Sequence, residues 1–160
     1  MECKFNPKMV VLFVAAIIFL YFVISGSLLT IFMYESFSNS DSDSFNGEIS
    51  SCAPIESDIN NGEKAIVVLH ADFCGWCKRM IPAWNEFYSE ANGSEFGGSK
   101  VNLYAIEAKK THVTDDFKSK FGFQSKGFPT IVKLNKANGK LNLVEFQGER
   151  TVEEFKSFCE

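Results

Sequence analysis

The longest apolar run of the chain lies near its amino terminus, between residues 9 and 34. It contains no charged side chain and consists mainly of Val, Leu, Ile, Phe and Ala. A helix needs about 20 apolar residues to cross the hydrocarbon layer of a membrane. A cleavable signal peptide usually has a shorter apolar core, of about 7–15 residues. The pattern therefore predicts an uncleaved transmembrane helix over 9–34, with a signal peptide as the alternative.

The residues around this run predict how the rest of the chain is organised. Lys4 and Lys8 precede the run, and positive flanks stay on the cytoplasmic side. Residues 1–8 are therefore predicted to be a cytoplasmic tail of a single-pass membrane protein, with the remainder exoplasmic or lumenal. Residues 35–51 are rich in Ser, Asn, Asp and Gly and predict a flexible stalk. Residues 52–160 are long enough for one domain with a single core.

Within that domain the hydrophobic spacing predicts a buried strand followed directly by a helix. The segment 65–73 has a continuous apolar centre at 66–69, which is typical of a strand buried on both faces. From Cys77 to Ala91 apolar residues recur every three or four positions, which is helical spacing. Pro82 lies inside this pattern and predicts a kink, because proline lacks an N–H.

The remaining segments predict alternating elements up to the carboxyl terminus. In order they are a Gly-rich loop over 92–99, a strand over 100–108, a helix from Thr114 to a stop at Gly122, a strand over 130–135, a turn at Asn138-Gly139, a strand from Lys140 and a helix after Thr151. A parallel strand–helix–strand unit followed by a hairpin predicts an α/β fold, a mixed sheet with helices on both faces.

The candidate chemistry lies at the junction between the first strand and its helix. Two of the five cysteines, Cys74 and Cys77, are separated there by Gly75 and Trp76. The start of a helix favours negative charge and therefore a thiolate at Cys74. Cys77 lies one turn later, so the two sulfurs can interconvert between dithiol and disulfide. We expect Cys74 to attack a substrate disulfide and Cys77 to resolve the mixed disulfide.

Other residues have smaller predicted roles at this dithiol. Gly75 is expected to allow a tight turn, and Trp76 to shield the second thiol or contact substrate. His70 is interpreted as a packed residue or as one that tunes Cys74. Glu107 and Lys78 are further candidates for tuning the local charge.

Other uses of cysteine remain open at this point. Structural zinc takes four ligands, whereas the chain has one Cys-x-x-Cys, and His70 and His112 are not spaced as its partners. The pair could also be an inert disulfide or two buried thiols. Cys52 and Cys159, near the two ends of the domain, pair with each other or stay free. Asn92 begins an N-glycosylation motif that is used only in a eukaryotic lumen.

The segment from about residue 65 to 158 resembles the thioredoxin superfamily, in particular thioredoxin and protein disulfide isomerase domains. The matching features are Cys74-Gly75-Trp76-Cys77-Lys78 between a strand and a helix, Pro82 five residues after Cys77, the loop Gly127-Phe128-Pro129-Thr130 before a strand, and Gly148 before the last helix. The resemblance implies a thioredoxin-like fold with Cys74 and Cys77 catalytic. It also implies a cis peptide bond before Pro129, with Phe128, Pro129 and Trp76 binding substrate. Gly75, Lys78 and Pro82 then support the site.

The departures from the family pattern include one at the site and one at the start of the domain. Val68 occupies the position, six residues before the first cysteine, where the family usually has a buried acid. The family's amino-terminal strand and helix are hard to find upstream of Ile59.

The sequence therefore predicts a membrane-anchored thiol–disulfide oxidoreductase that acts on protein cysteines. Its redox-active disulfide would join Cys74 and Cys77, with no other cofactor and no metal. The direction of exchange and the redox partner are left open. The alternative is a non-catalytic docking or chaperone module on the same scaffold. The net charge of −4 and the lack of a basic patch argue against nucleic acid as a partner.

Overall fold

The computed structural model describes residues 43–160. The predicted cytoplasmic tail (1–8), the predicted span (9–34) and residues 35–42 of the predicted stalk lie outside the described residues. Among the helices of residues 43–160, none is both long enough and apolar enough to cross a membrane.

Four helices and five strands form the described domain. In chain order they are α1 (Ala53–Asn60), β1 (Lys64–His70), α2 (Gly75–Ala91), β2 (Ser94–Phe96), β3 (Ser99–Glu107), α3 (Thr111–Phe121), β4 (Thr130–Ala137), β5 (Lys140–Glu145) and α4 (Val152–Cys159). The predicted mixed sheet with flanking helices is confirmed.

The strands form one sheet in the order β2-β3-β1-β4-β5. β1 pairs in parallel with β3 and antiparallel with β4, so it lies at the centre. All seven residues of β1 are buried, because helices cover both faces of the sheet. The position of β1 explains its unbroken apolar sequence.

Side chains that alternate along the strands divide the interior into two cores. The α2/α4 core contains Ile66 and Val68 of β1 together with Trp84 and Phe155 from the helices. The α1/α3 core contains Val67 and Leu69 of β1, with Ile55, Ile59, Val113 and Phe117 from the helices. Successive strand residues point to opposite faces, so β1 contributes to both cores.

Local signals explain where three of the helices begin or end. Cys74 is the N-cap of α2, and its sulfur accepts a hydrogen bond from the Cys77 backbone N–H at 3.2 Å. Gly122 follows α3 in the left-handed conformation, with φ of 67°, which a glycine adopts readily. Thr151 caps α4 by accepting a hydrogen bond from the Glu154 backbone N–H.

Two observed elements were not predicted. Helix α1 buries only Ile55 and Ile59, four residues apart, so its apolar pattern is short. The segment predicted as a Gly-rich loop contains the short strand β2. Gly97 and Gly98, both with positive φ, form a two-residue turn between β2 and β3. Such turns require positive φ at both positions, which explains the paired glycines.

The domain begins earlier than residue 52, so the predicted stalk over 35–51 is corrected for residues 43–51. Phe45 is buried in the α2/α4 core. The Asn46 backbone N–H donates to Asn85 Oδ1 at 2.8 Å, and Trp84 Nε1 donates to the Asn46 carbonyl at 3.0 Å. Glu48 pairs with Ala105 in an isolated parallel bridge. Specific hydrogen bonds and one aromatic ring hold a segment whose composition alone predicts flexibility.

Cys52 and Cys159 do not pair, since they lie in different cores on opposite faces of the sheet. The Cys52 thiol donates to the Val113 carbonyl at 3.6 Å. The Cys159 thiol donates to the Phe155 carbonyl at 3.3 Å. Both are buried free thiols.

Candidate active site

Cys74 and Cys77 lie at the carboxyl end of the central strand, where β1 passes into α2. Cys74 is half-buried, whereas Cys77 is 1% exposed and belongs to the α2/α4 core. In the structure both thiols are free. The structure places Cys77 one helical turn after Cys74 and leaves Cys74 the more accessible of the two.

Cys77 is held in its protonated form. Burial raises the pKa of the Cys77 thiol to about 12, and hydrogen bonding with Cys74 and the nearby charge of Glu107 act in the same direction. At neutral pH Cys77 therefore needs a proton acceptor before it can act as a nucleophile.

The loop before β4 brings the predicted substrate-binding residues to Cys74. The Phe128–Pro129 peptide bond is cis, as the resemblance implies. The Cys74 thiol donates a hydrogen bond to the Phe128 carbonyl at 3.3 Å. Thr130 Oγ1 donates to the Gly127 carbonyl at 2.8 Å and fastens the loop to the start of β4.

Two exposed aromatic residues flank the leading sulfur in sequence. Phe73 is 77% exposed and Trp76 is 64% exposed. The guanidinium carbon of Arg79 lies 4.6 Å from the centre of a Trp76 ring, in cation–π contact. The Phe73 ring meets the Phe128 ring edge-on, with centroids 6.4 Å apart. The two roles expected of Trp76, contact with substrate and shielding of Cys77, both stay predictions.

The remaining predicted residues occupy the start and the middle of α2. Gly75 does not have a positive φ, and a Cβ built there would meet nothing within 4 Å, so the turn itself does not require glycine. Lys78 is exposed, and its backbone N–H donates to the Cys74 carbonyl at 3.2 Å. Pro82 lies inside α2, which continues through it to Ala91.

Cys77 lines a cavity of about 230 Å³, and Phe128 is not part of its lining. Its lining comes from residues 43–48, from the end of β1 and from the start of α2. The lining residues are Asp43, Ser44, Phe45, Glu48, His70, Ala71, Asp72, Cys77, Lys78 and Ile81. The segment predicted as a stalk therefore forms one wall of the site.

His70 lies in this wall and is 3% exposed. Its ring stacks on Phe45, with centroids 4.3 Å apart. Its Nδ1 lies 3.0 Å from Glu107 Oε2, and its Nε2 lies 3.5 Å from Glu48 Oε1. Burial lowers the pKa of His70 below its ordinary value of 6.5, against the opposing effect of Glu107 and Glu48, so His70 is neutral at pH 7.

His70, Asp72 and Glu107 are the one group in the described part of the chain that approaches a metal-ligand arrangement. One ligand atom from each lies within 4.8 Å of the others. Asp72 is exposed and forms an ion pair with Lys109 at 2.9 Å. Three ligands, one already paired with a cation, do not meet the four that structural zinc requires. We therefore assign no metal to this group.

Comparison with known proteins agrees with this geometry. The family description "Thioredoxin" matches residues 48–160. This chain belongs to the thioredoxin family. The match begins four residues upstream of the predicted domain boundary, within the segment that packs against the thioredoxin core.

The relatives of this thioredoxin domain include disulfide isomerases. Protein disulfide-isomerase of Arthroderma benhamiae is 30% identical over 100 residues, covering 62% of this chain and 17% of the relative. Protein disulfide-isomerase TMX3 of Xenopus laevis is 36% identical over 94 residues, covering 59% of this chain and 18% of the relative. The chain thus spans less than a fifth of the length of these curated relatives.

Solved structures show the same fold. The first thioredoxin domain of mouse protein disulfide-isomerase A4 superimposes with a TM-score of 0.53 at 21% identity, covering 76% of this chain and 81% of that one. The J-Trx1 fragment of ERdj5 gives a TM-score of 0.52 at 18% identity, covering 71% of this chain and 47% of that one.

The different environments of the cysteines predict selective alkylation. In the native reduced protein, iodoacetamide should modify Cys74 first among the four cysteines of residues 43–160, because the other three are buried. Cys77 should stay slow at neutral pH and react faster only as the pH rises toward its pKa of about 12. Peptide mass spectrometry after timed quenching measures each rate, and alkylation in denaturant provides the control. Equal rates at Cys74 and Cys77 would contradict the geometry.

Proposed function

We propose that this protein is a membrane-anchored thiol–disulfide oxidoreductase that acts on protein cysteines through Cys74 and Cys77. The observation that carries the proposal is the arrangement at Cys74. Its half-buried sulfur accepts the Cys77 backbone N–H at 3.2 Å and lies 3.3 Å from the Phe128 carbonyl. The Cys77 N–H at the start of α2 therefore points at the sulfur that attacks the substrate.

The reaction follows from the unequal burial of the two thiols. The Cys74 thiolate attacks one sulfur of a substrate disulfide, forms a mixed disulfide and releases the first substrate thiol. Cys77 then loses its proton and attacks the Cys74 sulfur. This step closes the Cys74–Cys77 disulfide and releases the second substrate thiol, so two electrons pass from the protein to the substrate. The reverse sequence oxidises a substrate dithiol.

Protein substrates would bind across the loop at Phe128 and Pro129. The extended backbone there offers hydrogen-bonding groups to a substrate strand. The exposed rings of Phe73 and Trp76 offer apolar contact beside the sulfur. Gly75 leaves the surface next to Cys74 open, since no side chain occupies it. Lys78 and Pro82 would support the site from α2.

The predicted span over 9–34 would hold this domain at a membrane, in the exoplasmic or lumenal space. The cofactor is the Cys74–Cys77 disulfide itself. Disulfide isomerases among the relatives support a protein rather than a small molecule as substrate. A redox partner would restore the dithiol or the disulfide after each turnover.

The purified full-length chain should accelerate the reduction of insulin disulfides by dithiothreitol. Equilibration with glutathione buffers should convert two thiols per molecule together, at Cys74 and Cys77. A strongly reducing potential would indicate a reductase supplied with electrons, and a mild one an oxidase or isomerase. A chain that does not accelerate insulin reduction would contradict the proposal and favour a docking or chaperone module.

A further inference from the structure

Cys77 must lose a proton in each turnover, yet its surroundings oppose the loss. The thiol is 1% exposed, and the negative charge of Glu107 opposes loss of its proton. Cys74 and Phe128 pack against the same core as Cys77. The cavity that Cys77 lines offers its proton a path to an acceptor.

His70 has the position and the chemistry of such an acceptor. It lines the same cavity as Cys77. Two buried polar atoms at this place, His70 Nε2 and Glu107 Oε2, have no hydrogen-bond partner among residues 43–160. Buried polar atoms without partners are uncommon and indicate a functional group or an ordered water. A cavity of about 230 Å³ whose lining includes the polar side chains of Asp43, Glu48 and His70 is large enough to hold water molecules.

The charges around His70 favour an imidazolium once a proton arrives. Glu107 Oε2 lies 3.0 Å from Nδ1, and Glu48 Oε1 lies 3.5 Å from Nε2. Glu107 is itself fixed, because its Oε1 accepts a hydrogen bond from the Lys109 backbone N–H at 3.1 Å. Glu48 is one-third exposed and so connects the buried ring with solvent.

We propose that His70 accepts the proton of Cys77 through the cavity, that Glu107 orients the imidazole, and that Glu48 passes the proton on to solvent. The inference rests on the proposed function and deepens it. Phe45 has a positioning role here, because its ring stacks on the imidazole and covers it.

All charged and titratable groups that face this path enter its pH dependence. They are Asp43 and Glu48 from the amino-terminal segment, Asp72 after β1, Cys74 and Lys78 at α2, and Glu107, Lys109 and Lys110 at the end of β3. Lys109 pairs with Asp72, and Lys110 pairs with Glu48 at 2.7 Å. Glu107 therefore remains the carboxylate nearest the ring without a lysine partner.

The proposed step balances in atoms and charge. In the mixed disulfide, the Cys77 S–H bond breaks and its proton moves through cavity water to Nε2 of His70. The Cys77 thiolate attacks the Cys74 sulfur, the Cys74–Cys77 bond forms, and the bond to the substrate sulfur breaks. The substrate thiolate leaves with the electron pair and takes a proton from solvent. The imidazolium returns its proton to solvent through Glu48.

Stopped-flow reaction of the reduced full-length protein with Ellman's reagent separates the two chemical steps. Attack by Cys74 releases the first coloured thiolate, and attack by Cys77 releases the second. The variant Cys77→Ser identifies the second phase, because only that phase disappears. The first phase reports on the proposed function, and the second phase reports on proton transfer from Cys77.

His70→Asn should slow the second phase by about 10²-fold at pH 7, the low end for positioned proton transfer. The first phase should change little. In the wild type the second-phase rate should level off above the ionisation of His70, whose pKa lies below 6.5. In the variant it should rise tenfold per pH unit throughout, because hydroxide becomes the acceptor. His112→Asn is the matched control, since this other histidine is exposed, and both phases should be unchanged.

Glu107→Gln tests the orienting charge and does not depend on how well His70→Asn folds. Loss of the carboxylate lowers the pKa of His70, so the levelling-off should move to lower pH and the second phase should slow. If the wild-type second-phase rate keeps rising with pH, as expected for His70→Asn, proton transfer from Cys77 to His70 is overturned. It is also overturned if the rate levels off at the same pH in Glu107→Gln as in the wild type. Absence of a first phase that depends on Cys74 would instead overturn the proposed function.

Discussion

Cys77→Ser should turn the transient mixed disulfide into a stable product. The variant keeps the accessible sulfur of Cys74 but lacks the thiol that displaces the substrate. A disulfide-containing protein such as insulin should therefore remain covalently attached to Cys74 in close to one-to-one amount. Non-reducing electrophoresis and intact mass measure this adduct, and dithiothreitol should release it. Insulin reduction should fall to the uncatalysed rate.

Cys74→Ser is the matched contrast to this variant. It removes the leading sulfur and leaves a buried thiol whose pKa of about 12 keeps it protonated. We expect no adduct and no turnover above the uncatalysed rate. Cys159→Ala removes a buried thiol that lies away from the α2 start and should keep full turnover. An adduct formed equally by Cys74→Ser and Cys77→Ser would contradict the assigned order of the two cysteines.

Phe45→Ala should lower the free energy of unfolding by about 3 kcal/mol, the size typical of a buried phenylalanine truncated to alanine. Phe45 is 4% exposed, and its ring contacts the rings of His70 and Trp84. The truncation leaves a cavity beside both partners, because the sheet and α2 hold them in place. Urea denaturation followed by tryptophan fluorescence measures the difference.

Phe73→Ala is the matched control, the same chemical change at a position that is 77% exposed. Its effect on the free energy of unfolding should stay within about 0.5 kcal/mol. Equal effects of the two substitutions would show that residues 43–48 do not belong to the folded domain. The boundary predicted at residue 52 would then stand.

Elements with strong local patterns were predictable because their burial requires apolar residues at regular positions along one continuous stretch. β1 is buried on both faces, so every residue of its centre is apolar. α2 is long and packs one face on the core, which produces repeated three- and four-residue spacing. α1 and β2 were missed because they are short. The two buried isoleucines of α1 are too few to establish a period.

The pair of cysteines at the site was predictable for a similar reason. Cys74 and Cys77 are close in sequence, and one helical turn fixes their separation. The Phe128–Pro129 loop was found through its resemblance to a known family, and the structure places the Phe128 carbonyl 3.3 Å from Cys74. Gly75 was expected to allow a tight turn, and the structure shows no positive φ at this position.

The sequence by itself determined the central strand, the helix that follows it and the pair of thiols between them, because these depend on contacts within one continuous stretch. Only the tertiary structure decided what lies behind Cys77. Glu48, His70 and Glu107 come from three separate segments, and backbone pairing and packing of Phe45 bring them together. Contacts between residues distant in sequence leave no periodic signal, so the surroundings of the second thiol had to be read from the fold.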